Sequence, residues 1–490
     1  MPGDLILVLD EGTTSTRAMV FTAAGLQLAV AQQELTQHYP APGHVEHDPA
    51  EIWHKTLGVV RDVVHQAGGA ERIAAIGITN QRETVVAWDN ASGHPLSRAL
   101  VWQDRRTASP CEQLRAAGHE DAVREKTGLL LDPYFSATKM RWLIDNEPQV
   151  TAAAAKGTLA LGTIESWLLY KLTGGAHLSD ASNASRTLLL PLEGSSWDAG
   201  LCDLFGVPQR ALPEVCDNAG QIAFTRPDLF GRAIPICGLA GDQQSATIGQ
   251  ACLNPGDCKA TYGTGAFVLS NMGNAIPRSA NRLLGTVLHQ LGGQRHYALE
   301  GSVFVAGSLI QWVRDTLGVI SSADETARLA ASIPDSGGVT IVPALSGLGA
   351  PHWRPEARGA IAGLSFNSGK AQIARAALEA MSHQTHDLAR AFEADNAGWR
   401  SLRIDGGMSA NDWMAQDLAD ILRLPVERPA YVETTALGAA VLAALGAGLY
   451  PDLETAARSM RGPSQVFEPR MGNGERMERL MRWQTAIEAV

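Results

Sequence analysis

The pattern of apolar and polar positions predicts a short strand, a turn and a second strand at the start of the chain. Leu5-Ile-Leu-Val-Leu9 is an apolar run that ends at Asp10. Gly12-Thr-Thr-Ser15 supplies the turn, and Thr16-Arg-Ala-Met-Val-Phe21 supplies the second run. Run, turn and run make a β-hairpin. Asp48-Pro-Ala-Glu51 then reads as a helix start, with Asp48 as N-cap, Pro49 at the first helical position and Glu51 closing a capping box. A further strand, Ile73-Ala-Ala-Ile-Gly-Ile78, ends at Thr79-Asn-Gln-Arg-Glu83. Strands that alternate with helical stretches predict the α/β class.

The second half repeats the opening theme. Asn254-Pro-Gly-Asp257 is a turn-rich break. Lys259-Ala-Thr-Tyr262, Gly263-Thr-Gly265 and Ala266-Phe-Val-Leu269 follow as strand, turn and strand. One such hairpin per half predicts two similar domains that face each other across a ligand, 1–250 and 251–490, with the boundary near residues 245–257. Each half carries a further glycine turn, Gly238-Leu-Ala-Gly241 before Asp242, and Asp405-Gly-Gly407 before Met408-Ser-Ala-Asn411. The uncharged stretch from Thr434 to Tyr450 is rich in Ala and Gly. It falls short of the roughly 18–20 strongly apolar residues of a membrane span and predicts a buried helix.

Composition narrows the class. The 490 residues are 45% hydrophobic and 19% charged, which excludes disorder as the main state. The net charge of −11, with no run of Lys and Arg, lacks the basic footprint of a nucleic-acid binder. Anionic ligands stay open, because backbone N–H groups hold phosphate without lysine. Met-Pro-Gly-Asp has no basic leader region, so a cytoplasmic protein without membrane insertion is expected, and the sequons at Asn90 and Asn183 are chance matches. Cys111, Cys202, Cys216, Cys237, Cys252 and Cys258 form no Cys-x-x-Cys pair and read as ordinary thiols. His44, Glu46, His47 and Asp48 lack the defined spacing of a zinc site, and Asp48 is already explained as a cap.

The turns decide what chemistry is open. The chain has no Gly-x-x-x-x-Gly-Lys-Ser/Thr loop, no Gly-x-Gly-x-x-Gly after a strand and no His-Glu-x-x-His. It has Gly-Thr turns at strand ends, beside aspartates. Phosphate needs many donors at close approach: glycine lets the backbone come near, and Thr and Ser hydroxyls add short hydrogen bonds. Thr13, Thr14, Ser15 and Thr264 fit that need, and Arg17 offsets phosphate charge. Phosphoryl transfer is stabilised largely by electrostatics, which calls for a metal, and Asp10 is the carboxylate for Mg²⁺. Asp242, at a glycine turn, suits a base that accepts a hydroxyl proton. Its alternative is a helix N-cap. Arg82 and Glu83 offer a donor fork and an acceptor to a small polyhydroxy substrate, with a surface ion pair as the alternative.

Eight segments resemble the FGGY carbohydrate kinase family, in the same order. They are Leu9 to Arg17, Thr79 to Thr84, Val101-Trp-Gln103, Asp132 to Ser136, Asn183-Ala-Ser-Arg-Thr187, Gly241-Asp-Gln-Gln244, Thr261-Tyr-Gly-Thr-Gly265 and Gly347-Leu-Gly-Ala-Pro351. Tyr134-Phe-Ser-Ala-Thr-Lys-Met-Arg-Trp142 also looks like the family signature, and the likeness spans residues 5 to 450. The resemblance implies two actin-like (ribonuclease H-like) ATPase domains with the active site in the cleft between them. It implies ATP-dependent phosphorylation of glycerol to glycerol 3-phosphate and ADP. The Asn80-Gln-Arg-Glu-Thr84 segment is what points to glycerol, since xylulose-phosphorylating members differ there.

By the same resemblance, Arg82, Glu83, Trp102, Tyr134, Asp242, Gln243 and Phe267 form the polyol pocket, with Asp242 as general base. Thr13, Thr14, Ser15, Arg17, Thr264, Gly307, Gln311, Gly407 and Asn411 bind the nucleotide, and Asp10 and Asp242 hold Mg²⁺. A homo-oligomer, dimer or tetramer, is implied as well. Between Gly220 and Ile234 the chain lacks the Gly-Gly-Lys-Gly-Gly loop that binds fructose 1,6-bisphosphate in some bacterial members. No histidine lies between His177 and His289, where other members are phosphorylated. Ala181 and Ser182 stand where relatives often have Tyr and Thr. The rival expectations are a kinase for another polyol or a ketose, and a nucleotide-switched binding protein, which would need no polyol pocket.

Overall fold

The computed structural model describes residues 3–354 and 356–490. The first lobe is built on six strands: β1 (Leu5–Glu11), β2 (Ser15–Thr22), β3 (Gln27–Glu34), β4 (Ile73–Asn80), β5 (Ala219–Phe224) and β6 (Pro235–Gly241). Their order is β5-β6-β4-β1-β2-β3. The predicted opening hairpin is β1 and β2, antiparallel in register Asp10 to Arg17, while β4 runs parallel to β1. Asp48 caps helix α1 (Pro49–Gln66) through the Ala50 N–H at 2.8 Å, as expected. The capping box does not close. Glu51 Oε1 instead takes the Thr36 hydroxyl at 2.8 Å and the Lys55 ammonium at 2.6 Å. A charged donor and a hydroxyl outcompete the backbone amide for that oxygen.

β1 reads as a continuous apolar run because both of its faces are covered. Leu5, Leu7 and Leu9 join the core under α1, with Val59, Val60 and Val63. Ile6 and Val8 face the other way, onto a helix from the second half of the chain.

The second lobe repeats the plan with β7 (Asp257–Tyr262), β8 (Ala266–Gly273), β9 (Leu284–Leu291), β10 (Gln294–Val303), β11 (Ser401–Asp405), β12 (Val426–Pro429) and β13 (Ser464–Phe467). The order is β9-β10-β8-β7-β11-β12-β13. β7 pairs antiparallel with β8 and parallel with β11, as β1 does with β2 and β4. The repeated plan is that of two actin-like α/β lobes.

Six further helices matter below: α2 (Asp242–Gly249), α3 (Gly307–Asp315), α4 (Lys370–Ala394), α5 (Asp412–Leu422), α6 (Thr434–Gly446) and α7 (Asn473–Glu488). The uncharged stretch forms α6, which is buried against the first-lobe sheet. Its small residues let backbones touch. A Cβ on Gly77 would lie 2.3 Å from the Ala439 carbonyl oxygen. No helix among the described residues is long and apolar enough to cross a membrane.

Candidate active site

Three parallel strands deliver the first-lobe groups to one edge. Asp10 pairs with Thr79 across β1 and β4, and Gly241 pairs with Asn80 across β6 and β4. Asp10, the Gln81-Arg82-Glu83 turn and Asp242 therefore leave the sheet side by side, at the carboxyl ends where α/β sheets bind ligands. The expected glycine turn at Gly238–Gly241 is continuous strand, and α2 begins directly at Asp242. The N-cap is Gly241, so Asp242 is the first helical residue rather than the cap. Ser182 supports this junction, because its Oγ accepts the Gly241 N–H at 3.0 Å.

The first hairpin turn is tied down through its carbonyls. Ser15 O accepts the Gly12 N–H at 3.0 Å, and Thr14 O accepts the Leu35 N–H at 2.8 Å. Gln81 and Gln37 donate to Gly12 O and Thr13 O at 3.0 and 2.8 Å. What the turn offers a ligand is its amides and hydroxyls, which suits an anion. Arg17 bridges Asp10 at 2.5 Å and Glu433 at 2.7 Å. Burial raises the Asp10 carboxyl above the usual range; Arg17 opposes that, while Glu433 and Asp242 add to it.

The second hairpin turn docks on the start of α3. Gly307 N–H donates to Gly263 O at 2.9 Å, and the Ala306 and Ser308 amides donate to Thr264 O at 2.9 and 3.2 Å. Only glycine fits at 307, where a Cβ would sit 2.6 Å from Gly263 O. Gln311 lies on the exposed face of α3. Gly407 opens the short turn Gly407–Ala410 after β11, and Asn411 caps α5 through the Met414 N–H at 3.0 Å.

The polyol candidates meet between the lobes. Trp102 packs edge-on to Tyr134 at 5.6 Å and to Phe267 of the second lobe at 6.5 Å. Its indole N–H donates to Thr13 Oγ1 at 2.9 Å, which joins this wall to the first turn. Arg82 and Glu83 are not the surface ion pair of the alternative reading, being 3% and 1% exposed. Arg82 Nη1 donates to Glu300 Oε2 at 2.6 Å, and Nε lies 3.3 Å from Asp242 Oδ1. Arg82 Nη2 has the Tyr134 hydroxyl at 3.4 Å. Glu83 Oε1 accepts from Arg186 Nε at 2.7 Å. Gln243 Oε1 accepts from the buried Lys259 ammonium at 2.7 Å. Burial pulls the Lys259 ammonium below its ordinary range, against the pull of Asp405 and Asp242.

Five of these partners have no role in the reading of the sequence: Glu300, Arg186, Lys259, Glu433 and Ser182. Arg186 lies in the Asn183–Thr187 segment, and Lys259 precedes the second turn. Glu300 was visible as a lone charge in the apolar run Tyr297-Ala-Leu-Glu-Gly301, a signal that a buried partner exists. The residues around Asp48 are spent elsewhere: Glu46 pairs with Arg106 at 2.7 Å, and His47 Nε2 lies 3.0 Å from Gln37 Oε1.

Known proteins resemble this chain over nearly its whole length. Residues 5–249 match the N-terminal domain of the FGGY family of carbohydrate kinases, and residues 258–447 match its C-terminal domain. The chain is 53% identical over 488 residues to a glycerol kinase of Cereibacter sphaeroides, covering 99% of both chains. It is 52% identical to a glycerol kinase of Rhodospirillum rubrum, covering 99% of this chain and 98% of that one. Among solved structures, Plasmodium falciparum glycerol kinase with ADP superposes with TM-score 0.94 at 34% identity, covering 99% and 98% of the two chains. Xylulose kinase from Rhodospirillum rubrum superposes with TM-score 0.88 at 25% identity, covering 99% and 98%. With both family domains matched in order along a two-lobed fold, the chain belongs to the FGGY family of carbohydrate kinases.

Proposed function

We propose that this enzyme transfers the γ-phosphoryl group of ATP to a terminal hydroxyl of glycerol, giving glycerol 3-phosphate and ADP. The observation that carries the reading is the placement of Trp102. Its ring meets Phe267 of the other lobe, and its N–H meets Thr13 of the first turn, so the polyol wall and the phosphate turn share one space. The relatives that support it are the glycerol kinases of Cereibacter sphaeroides and Rhodospirillum rubrum.

In this reading, residues 1–250 carry the polyol groups other than Phe267, the first phosphate turn and the magnesium carboxylates, and residues 251–490 carry the second phosphate turn and the rest of the nucleotide site. Trp102 and Phe267 cover the carbon chain, while Arg82, Glu83 and Gln243 bond its hydroxyls. Asp242 accepts the proton of the attacking hydroxyl, which is a carboxylate's ordinary part in kinase chemistry. Thr13, Thr14, Ser15, Arg17 and Thr264 hold the phosphates, with Gly307, Gln311, Gly407 and Asn411 around the rest of the nucleotide.

The residues present fit a magnesium ion. Asp10 is a buried carboxylate whose ionised form is burdened by Asp242 and Glu433, with Arg17 as its one counter-charge in that set. Mg²⁺ binds through one or two carboxylates together with water and phosphate oxygens, so Asp10 and Asp242 suffice. Bound there, the ion supplies charge neutralisation to the transferring phosphoryl group. Closure of the lobes excludes water that would otherwise take the phosphoryl group.

A coupled ADP-release assay over glycerol, dihydroxyacetone, erythritol and xylulose tests the proposal. Glycerol is expected to give the highest kcat/KM. A preference for xylulose or erythritol would assign a different substrate within the family. ATP turnover that no added polyol stimulates would reject the transferase reading.

A further inference from the structure

Two fully buried charged residues have no task in the function above. Glu300 lies on β10 of the second lobe, and Arg186 follows the short helix Ala181–Ala184 of the first. With Arg82 and Glu83 they close a ring of alternating charge. Arg82 Nη1 to Glu300 Oε2 is 2.6 Å, and Glu300 Oε1 to Arg186 Nη2 is 2.9 Å. Arg186 Nε to Glu83 Oε1 is 2.7 Å, and Glu83 Oε1 returns to Arg82 Nε at 3.9 Å. The Arg186 guanidinium also lies over the Phe135 ring, 5.3 Å from its centroid.

Four buried charges are a poor device for stability alone. Desolvation offsets most of their mutual attraction, and apolar residues of the same volume do as well. What the ring does fix is direction. Glu300 and Gln244, at 2.6 and 3.2 Å, occupy Arg82 Nη1, and Asp242 faces Nε. Nη2 is left with one long contact, to the Tyr134 hydroxyl. Arg186 occupies Glu83 Oε1, and no protein donor among the described residues reaches Oε2. One donor edge of Arg82 and one oxygen of Glu83 thus remain for a ligand that both donates and accepts, as a hydroxyl does.

Glu300 is a second-lobe residue, yet its hairpin is stitched to the first lobe. Thr286 on β9 lies 3.0 Å from the Ser185 hydroxyl and accepts from Gln244 Nε2 at 3.0 Å. Gln290 N–H donates to Asn218 Oδ1 at 2.7 Å. The β9–β10 hairpin therefore carries Glu300 to the first lobe as a fixed part.

We propose that Glu300 and Arg186 are positioning residues, which brace the Arg82–Glu83 pair from the far lobe and thereby set the affinity for the polyol. The inference rests on the polyol kinase reading. Without Glu300, Arg82 has Asp242 as its nearest free carboxylate, so it would turn toward the base. The polyol would lose a charge-assisted donor.

The test is steady-state kinetics on Glu300→Gln, with both substrates varied. The KM for glycerol should rise about tenfold or more, as loss of a hydrogen bond to a charged group predicts, while the KM for ATP stays within about twofold. Glu300→Asp, which keeps the charge, should recover part of the glycerol KM. An unpaired buried charge can prevent folding, so Glu300→Gln/Arg186→Gln, which removes one charge of each sign, is made alongside. Glycerol binding to that variant is measured by calorimetry in the presence of ADP. A folded variant with wild-type glycerol affinity, or equal increases in both KM values, would overturn the brace. Wild-type enzyme that phosphorylates another polyol but not glycerol rejects the substrate alone, and the same split is then read with that polyol. Wild-type enzyme that phosphorylates none rejects the function and the brace together.

Discussion

Lys259 Nζ stands 2.7 Å from Gln243 Oε1, and this contact sets which way the Gln243 amide faces. An ammonium only donates, so the carbonyl oxygen must turn to it and the NH₂ group must turn away. Lys259 comes from β7 of the second lobe and Gln243 from α2 of the first. Lys259→Met should free the amide to flip. The expected outcome is a glycerol KM raised about tenfold, from the loss of one oriented hydrogen bond and its charged partner, with the ATP KM little changed. Unaltered glycerol KM in a folded variant would show that the contact orients nothing.

Asp242→Asn keeps the shape of the α2 start and removes the proton acceptor. The kcat should fall by a factor of about 10²–10⁴, the usual contribution of general base catalysis, while ADP binding by calorimetry stays as in wild type. Turnover near the wild-type rate would take Asp242 out of the chemistry.

Gly307 lies against the second hairpin turn, where an added Cβ would meet Gly263 O at 2.6 Å. That oxygen is backbone, so the turn itself has to move. Gly307→Ala should raise the KM for ATP about tenfold, in keeping with the usual cost of overpacking, and leave the KM for glycerol nearly unchanged. A larger effect on glycerol than on ATP would contradict the assignment of this turn to the nucleotide.

His383 gives a pH dependence away from the site. Its ring stacks on Trp483 of α7 at 5.3 Å. Burial, and then the neighbouring Arg479, lower its pKa to about 3, while Asp417 and Asp387 oppose and His386 adds to the repulsion. The unfolded chain protonates this imidazole near 6.5. Between those values the unfolded state binds the extra proton, so stability is complete above about pH 6.5 and is lost as pH falls toward 3. At pH 5 the loss amounts to about 2 kcal/mol. His383→Phe keeps the stacked ring and removes the titration. Denaturation midpoints from pH 7 to pH 5 should therefore fall less in the variant. Parallel curves for the two proteins would sink the assignment.

The elements that local pattern fixes were legible early. The β1–β2 and β7–β8 hairpins, strand β4, the Asp48 cap and the buried α6 all follow from alternation, turn chemistry or an uncharged run within a dozen or so residues. The structure departs from the local pattern where groups outside that pattern take the same atoms or backbone. Glu51 was assigned to its own helix cap, and Thr36 and Lys55 take it instead. The glycines before Asp242 suggest a turn, and the parallel pairing of β6 with β4 holds them as strand.

The sequence alone determined that two Gly-Thr hairpins exist, that Asp10 stands beside the first and that no run of Lys and Arg competes with that reading. Those features depend on short-range sterics and on net charge, and both are written locally. Only the tertiary structure decided which charges meet. Arg82 and Glu300 are 218 residues apart, and Lys259 and Gln243 lie on different lobes. The free energy of a buried ion pair depends on what excludes water around it, and that is a property of the packed chain rather than of any segment.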